Sequence, residues 1–183
     1  LNMNFEETPL KDSFLITPEA YPDARGFFLE SFHKKKFNEA TGLDLEFVQD
    51  NQSVSKKGVL RGLHFQSGDF AQAKLVRVIY GEVMDVIVDL RPKSPTFKKV
   101  HTVILSDSNL KQLFIPQGFA HGFITLSETS VFSYKCDRFY YPGSESGVIY
   151  NDPDLAIDWN FPENELILSE KDTKLPSLKE LFP

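Results

Sequence analysis

Apolar and polar residues alternate in short runs along most of this chain, and turn residues break the runs about every ten positions. Residues 59–66 set His64 and Gln66 on one face of an extended segment and Leu63 and Phe65 on the other. Residues 73–80 line up Lys74, Val76, Val78 and Tyr80, and residues 83–90 alternate Met84, Val86, Val88 and Leu90 against Asp85, Ile87 and Asp89. The segments 100–106, 111–115, 121–126 and 131–136 continue the pattern. Gly81-Glu82, Arg91-Pro92, Asp107–Asn109, Pro116-Gln117-Gly118 and Ser127-Glu128 supply the turns. Many short strands at this spacing predict an all-β sandwich or barrel. No helical period of useful length separates them, which argues against a parallel α/β architecture.

The two ends read differently. Residues 5–16 suggest one or two short strands, 18–26 a loop, and 26–32 a strand. Residues 33–42 predict a short surface helix stopped by Gly42. In 45–55 the alternation is weak, and Gln49 and Asn51 share a face with Phe47 and Ser53. Amides on an inward face need partners, so both are candidates for ligand contact. Beyond Tyr141 the chain turns rich in Pro, Asp and Glu, and predicts an extended wrap ending in a short helix that begins near Ser177. With no repeat and no evident linker, residues 1–183 read as one domain.

Composition narrows the function. A net charge of −6 speaks against a general nucleic-acid binder. A local basic pocket for a small anion stays open, because net charge does not describe a cleft. One cysteine, Cys136, allows no intrachain disulfide framework. No apolar run of about 18 residues and no basic-then-apolar leader is present, so no membrane partner is expected and the cytoplasm is the expected compartment.

Of the four histidines, His33 and His101 have no suggestive neighbours. His64 stands near Arg61 and Lys74, although Arg61 and His64 have opposite strand parity. Both can face one interior only if the strand begins after Arg61 or bulges there. On the residues alone, Arg25 and Glu30 read as solvated positions. The run Phe114 to Phe123 contains Pro-x-Gly-x-x-His, the second short motif of the cupin superfamily, and supplies His121. The first cupin motif supplies two histidines one residue apart. Here it reads His64-Phe65-Gln66, and with Lys74 nearby a metal site is poorly furnished, so no metal and no other cofactor is expected.

Several longer stretches carry a more specific likeness: DARGFFLESF, FVQDNQSVSKKGVLRGLHFQ, QAKLVRVIYGEVMDVIVDLR, SPTF, FIPQGFAHGF, YKC, NDPDLAIDW and ILSEKD. Together they resemble the dTDP-4-dehydrorhamnose 3,5-epimerase family, in the family's order, from about residue 21 to 176. The resemblance implies a jelly-roll (cupin-type) β-barrel, a homodimer, and a dTDP-linked 4-keto-6-deoxy sugar as substrate. Protons at C3 and C5 of such a sugar sit beside the C4 ketone and can leave to form an enolate. By the same likeness His64 is the base, Asp172 its carboxylate partner, Tyr134 the acid on the opposite face, and Lys74 the cation at the ketone oxygen.

His121 is then a neighbour of the sugar, and Arg25 and Arg61 bind the diphosphate. The resemblance also implies that Tyr140 stacks on thymine and that Glu30, Gln49, Asn51, Glu145 and Lys171 make further contacts. Asp85 matches a family carboxylate facing the cavity and competes with Asp172 as the partner of His64. The run Asp137-Arg138-Phe139 departs from the family pattern just before Tyr140. Inversion at C3 alone or C5 alone on a related nucleotide 4-keto sugar, and a non-catalytic ligand-binding cupin, are the alternatives.

Overall fold

Strands that alternate in sequence swap between two facing sheets, and this swapping makes the barrel. The computed structural model describes Leu1–Pro183. Its strands are β1 (Met3–Glu7), β2 (Phe14–Pro18), β3 (Ala20–Asp23), β4 (Gly26–Leu29), β5 (Gln49–Lys56), β6 (Leu60–Gln66), β7 (Lys74–Tyr80), β8 (Glu82–Asp89), β9 (Val100–Ser106), β10 (Gln112–Ile115), β11 (Phe119–Thr125), β12 (Thr129–Cys136) and β13 (Glu145–Gly147). The large sheet has the order β1-β2-β10-β7-β12-β5 and the small sheet β13-β6-β11-β8-β9. From β5 to β8 each strand crosses to the other sheet, and every pairing is antiparallel, which is the jelly-roll topology.

Apolar residues settle into three clusters. Between the sheets lie Val76, Val78, Leu113 and Phe132 of the large sheet against Val83, Ile87, Leu105 and Phe123 of the small one. The outer face of the small sheet (Met84, Val86, Val88) is covered by the wrap, through Val148, Leu155, Trp159 and Leu178. This is why β8 is apolar on both faces, and every residue of it after Glu82 is buried. On the outer face of the large sheet, helix α1 (Lys34–Thr41) sets Phe37 against Phe114, with ring centroids 5.0 Å apart.

The helix has the predicted bounds. Gly42 closes it in the left-handed conformation and the His33 imidazole caps its start, so His33 serves the helix. The wrap ends in α2 (Leu178–Leu181), where Ser177 and Glu180 form a capping box. No helix is long and apolar enough to cross a membrane.

One expectation needs correction. Residues 18–26 do not form a plain loop: β3 and β4 make a two-stranded ribbon turning at Asp23–Gly26, and the second strand stops at Leu29. Pro22 fits because the ribbon is free on that side, where no ladder hydrogen bond is lost.

Candidate active site

One polar cavity of about 590 Å³ opens into the barrel, within the range that holds a small-molecule ligand. Its wall includes Arg61, His64, Lys74, His121, Tyr134, Glu145, Lys171 and Asp172. His64 and His121 come from the small sheet, on β6 and β11. Lys74 and Tyr134 come from the large sheet, on β7 and β12. The two pairs therefore enter the cavity from facing walls.

A bulge in β6 resolves the parity conflict between Arg61 and His64. His64 lies opposite His121 and Arg61 opposite Phe123, so three steps on β6 match two on β11. Gly62 and Gly122 make this possible. A Cβ on Gly62 would stand 2.6 Å from the Gly122 Cα, and the Gly62 φ of +126° suits glycine alone.

His64 Nε2 lies 2.6 Å from Asp172 Oδ1. The Gly62 N–H donates to the other carboxylate oxygen, Oδ2, at 3.2 Å. Strand β6 thus fixes both members of the dyad, although 108 residues separate them in sequence. An ionised carboxylate only accepts, so Nε2 donates to it, and in the neutral imidazole the lone pair then lies on Nδ1. Burial works to raise the Asp172 pKa. The hydrogen bond and charge of His64, the Gly62 N–H and the charge of Lys171 outweigh burial and hold the carboxyl below its usual value.

Asp85 does not compete for His64. It pairs with His121, whose Nε2 lies 2.7 Å from Asp85 Oδ1. Asp85 is on β8 directly opposite Phe123 of β11, within reach of His121 and not of the strand beyond. It is fully buried, its Oδ2 has no partner, and burial raises its pKa. The His121 ring stacks on Phe132 at 5.8 Å and is fixed on both sides.

Lys74 reaches over the Tyr134 ring, 5.6 Å from its centroid. Burial lowers the ammonium pKa, by more than the neighbouring charges of Asp85 and Glu145 raise it. Burial also raises the Tyr134 phenol, more than a hydrogen bond with Asn51 lowers it, so Tyr134 stays protonated at neutral pH. Asn51 stands directly opposite Tyr134 on β5. The Cys136 thiol, pushed by burial up to about 11, is no nucleophile here.

A polar chain rims the mouth. Tyr140 donates its hydroxyl to Glu145 at 2.8 Å, and Lys171 reaches the same oxygen at 2.7 Å. Burial raises the Glu145 pKa, and those two partners bring it below its ordinary value. Gln49 donates to Asn51 and accepts from the Tyr140 N–H. Arg61 is anchored on Ser55 Oγ at 3.0 Å and keeps further N–H groups for another acceptor.

Arg25 and Glu30 do not line this cavity. Arg25 stands at the ribbon tip with its side chain 90% exposed and paired to Asp23. Glu30 is bound to Lys36 of α1 at 2.8 Å. Both follow the ribbon, which projects from the barrel. Gln49, Asn51 and Tyr140 do not line the cavity themselves, and each is bonded to a neighbour.

Ser53 is a wall residue that sequence reasoning passed over. Its hydroxyl is buried without a partner. The signal was its shared face with Gln49 and Asn51. No three His, Cys, Asp or Glu side chains converge as a metal cage.

Fold and site define a jelly-roll protein with groups suited to proton transfer at carbon: a histidine–carboxylate pair, a phenol and an ammonium group around one polar cavity. The chain belongs to the dTDP-4-dehydrorhamnose 3,5-epimerase family, whose model matches residues 7–180. It is 49% identical over 181 residues to the dTDP-4-dehydrorhamnose 3,5-epimerase of Escherichia coli K12, covering 98% of this chain and 97% of that one. The crystal structure of dTDP-4-dehydrorhamnose 3,5-epimerase from Elizabethkingia anophelis superposes with a TM-score of 0.94 at 55% identity, covering 97% of each chain. That of dTDP-6-deoxy-D-glucose-3,5-epimerase from Legionella pneumophila, in complex with dTDP-4-keto-L-rhamnose, gives 0.93 at 50% identity. It covers 97% of this chain and 94% of that one.

Proposed function

We propose that this chain inverts C3 and C5 of dTDP-4-dehydro-6-deoxy-D-glucose, giving dTDP-4-dehydro-L-rhamnose. The observation that carries the reading is the meeting of the His64–Asp172 dyad with Lys74 and Tyr134 from the facing sheet, in one cavity. His64 Nδ1 takes the proton from the carbon beside the ketone, and the electron pair moves onto the ketone oxygen. Lys74 holds that enolate charge. A preorganised donor of this kind is worth about 3 kcal/mol.

Tyr134 delivers its proton to the opposite face of the carbon as the enolate collapses. Solvent takes the proton from His64 and restores the phenol. The reaction needs no redox change, and the same sequence serves both carbons.

The diphosphate lies with Arg61 at the mouth, and Tyr140 offers its ring to the nucleobase, with Lys171, Glu145, Gln49 and Asn51 around it. A guanidinium fork suits phosphate oxygens. We further propose a homodimer. The ribbon exposes Phe27 and Phe28 at 59% and 62% beside Arg25, an apolar tip and a cation fit to reach a second copy's site. Glu30, at the ribbon's base, would follow it. The buried, unpaired Cys136 suits the cytoplasm.

Turnover in D2O tests the reading by NMR. Solvent deuterium at both C3 and C5 of the product is expected. Deuterium at one centre only would replace the double inversion by a single one, and none at either would end the proposal.

A further inference from the structure

We propose that Gln66 is a positioning residue for the nucleotide end of the substrate: its buried carboxamide grips the backbone on both sides of Tyr140 and so fixes where that ring stands. The proposal rests on the reading of Tyr140 as the ring that meets the nucleobase. Gln66 is 5% exposed. Its Nε2 donates to the Phe139 carbonyl at 3.3 Å and to the Phe70 carbonyl at 2.8 Å. Its Oε1 accepts from the Tyr141 N–H at 2.8 Å. Both donors and the acceptor of one amide are thus taken up by loop backbone.

The Tyr140 N–H between them goes to Gln49. The stretch from Phe139 to Tyr141 is therefore held by two side-chain amides where a strand partner would otherwise hold it. The Phe70 and Tyr141 rings stack at 4.2 Å and join the two loops that Gln66 bridges.

Tyr140 itself is 53% exposed, so packing does little to orient its ring. Its position comes from the backbone below it and from its hydroxyl on Glu145. Glu145 is the strand partner of Gln66, so both anchors start from one rung of the small sheet. With the loop freed, substrate binding would carry the cost of ordering it, which weakens affinity. The Gln66 amide makes no bond to His64, so the chemical step should stand apart from this effect.

The test uses the full chain with Gln66→Met, which keeps side-chain volume and removes all three bonds. Calorimetric titration with dTDP, steady-state kinetics and thermal melting are measured together. We expect Kd for dTDP and KM to rise about tenfold with kcat within about twofold, the signature of lost uniform binding. A lowered melting temperature with Kd and KM unmoved would reduce Gln66 to a structural role and overturn the proposal. So would a fall in kcat at unchanged Kd.

A cycle with Tyr140→Ala reads the route. Losses that fail to add support action through Tyr140, and strictly additive losses overturn it. Should Gln66→Met not fold, Phe70→Ala loosens the same loop from an exposed position. Weaker dTDP binding by that variant supports the proposal and unchanged binding refutes it. A wild-type protein with no affinity for dTDP would instead refute the nucleotide-sugar reading on which this rests.

Discussion

Replacing Asp172 by asparagine should nearly silence the enzyme while leaving it folded. The side chains are isosteric, but the Gly62 N–H, 3.2 Å from Oδ2, demands an acceptor. It will turn the oxygen of the new amide toward itself and point the NH2 group at His64. Nε2 then has to accept, the ring proton moves to Nδ1, and the atom facing the sugar is no longer a base. Flipping the amide back sets two donors against each other at Gly62, at about 1–3 kcal/mol, or roughly ten- to a hundredfold in rate.

The second loss is electrostatic. The carboxylate lies 2.6 Å from Nε2 and, on the proposed mechanism, stabilises the imidazolium formed by proton abstraction. A neutral amide does not. Together the two effects place the fall in kcat at about 10³–10⁴, the size seen when the carboxylate of a histidine dyad is neutralised elsewhere. The assay is the rate of deuterium washing into C3 and C5 in D2O, followed by NMR, with thermal melting as the folding control. Exchange within about tenfold of wild type by a folded variant would refute the claim that Asp172 sets the tautomer of His64.

Other perturbations separate the remaining roles. Tyr134→Phe should keep proton abstraction and impair inversion, so starting sugar recovered from D2O carries label in its original configuration; unchanged turnover removes Tyr134 from the mechanism. Lys74→Met should slow exchange about 10²–10³-fold, since one oxyanion donor is lost. Because burial lowers the Lys74 pKa, wild-type activity should fall on the alkaline side earlier than an ordinary lysine would allow. A flat profile up to the usual lysine range would contradict that. Asp89, fully buried, binds Arg91, Ser94 and Thr96. Burial raises its pKa, and these bonds bring it below the ordinary 3.8. Its contribution to stability is therefore complete above about pH 4 and lost as pH falls through the depressed value. Asp89→Asn should cost about 3 kcal/mol at pH 7, the low end for breaking a buried pair because Arg91 keeps Asp12. The difference from wild type should shrink below about pH 4 in denaturant titrations, and a constant difference would contradict the assignment.

The strands were legible because each has one face turned to the barrel interior, which writes the alternation into β6, β7 and β12. The course of β6 was not. Periodicity gave Arg61 and His64 opposite faces, and the bulge that reconciles them depends on two glycines meeting across strands. The choice between Asp172 and Asp85 was equally hidden, because each dyad joins residues far apart in sequence. The family likeness supplied the candidates, and the topology paired them.

Arg25 and Glu30 illustrate the opposite limit. Their sequence neighbourhood matches the family, yet in a single chain the ribbon carries them away from the cavity. The ribbon was missed because Pro18 and Pro22 read as loop. Ser53 shared its face with two candidate amides, but only the fold shows that its hydroxyl is buried without a partner.

The most direct test is a crystal structure with an unreactive dTDP-sugar analogue in place. His64 Nδ1 and the Tyr134 hydroxyl should lie within about 3.5 Å of the same ring carbon from its two sides, with Lys74 Nζ on the C4 oxygen. A sugar that meets both groups on one face, or that leaves Lys74 without contact, would contradict the account.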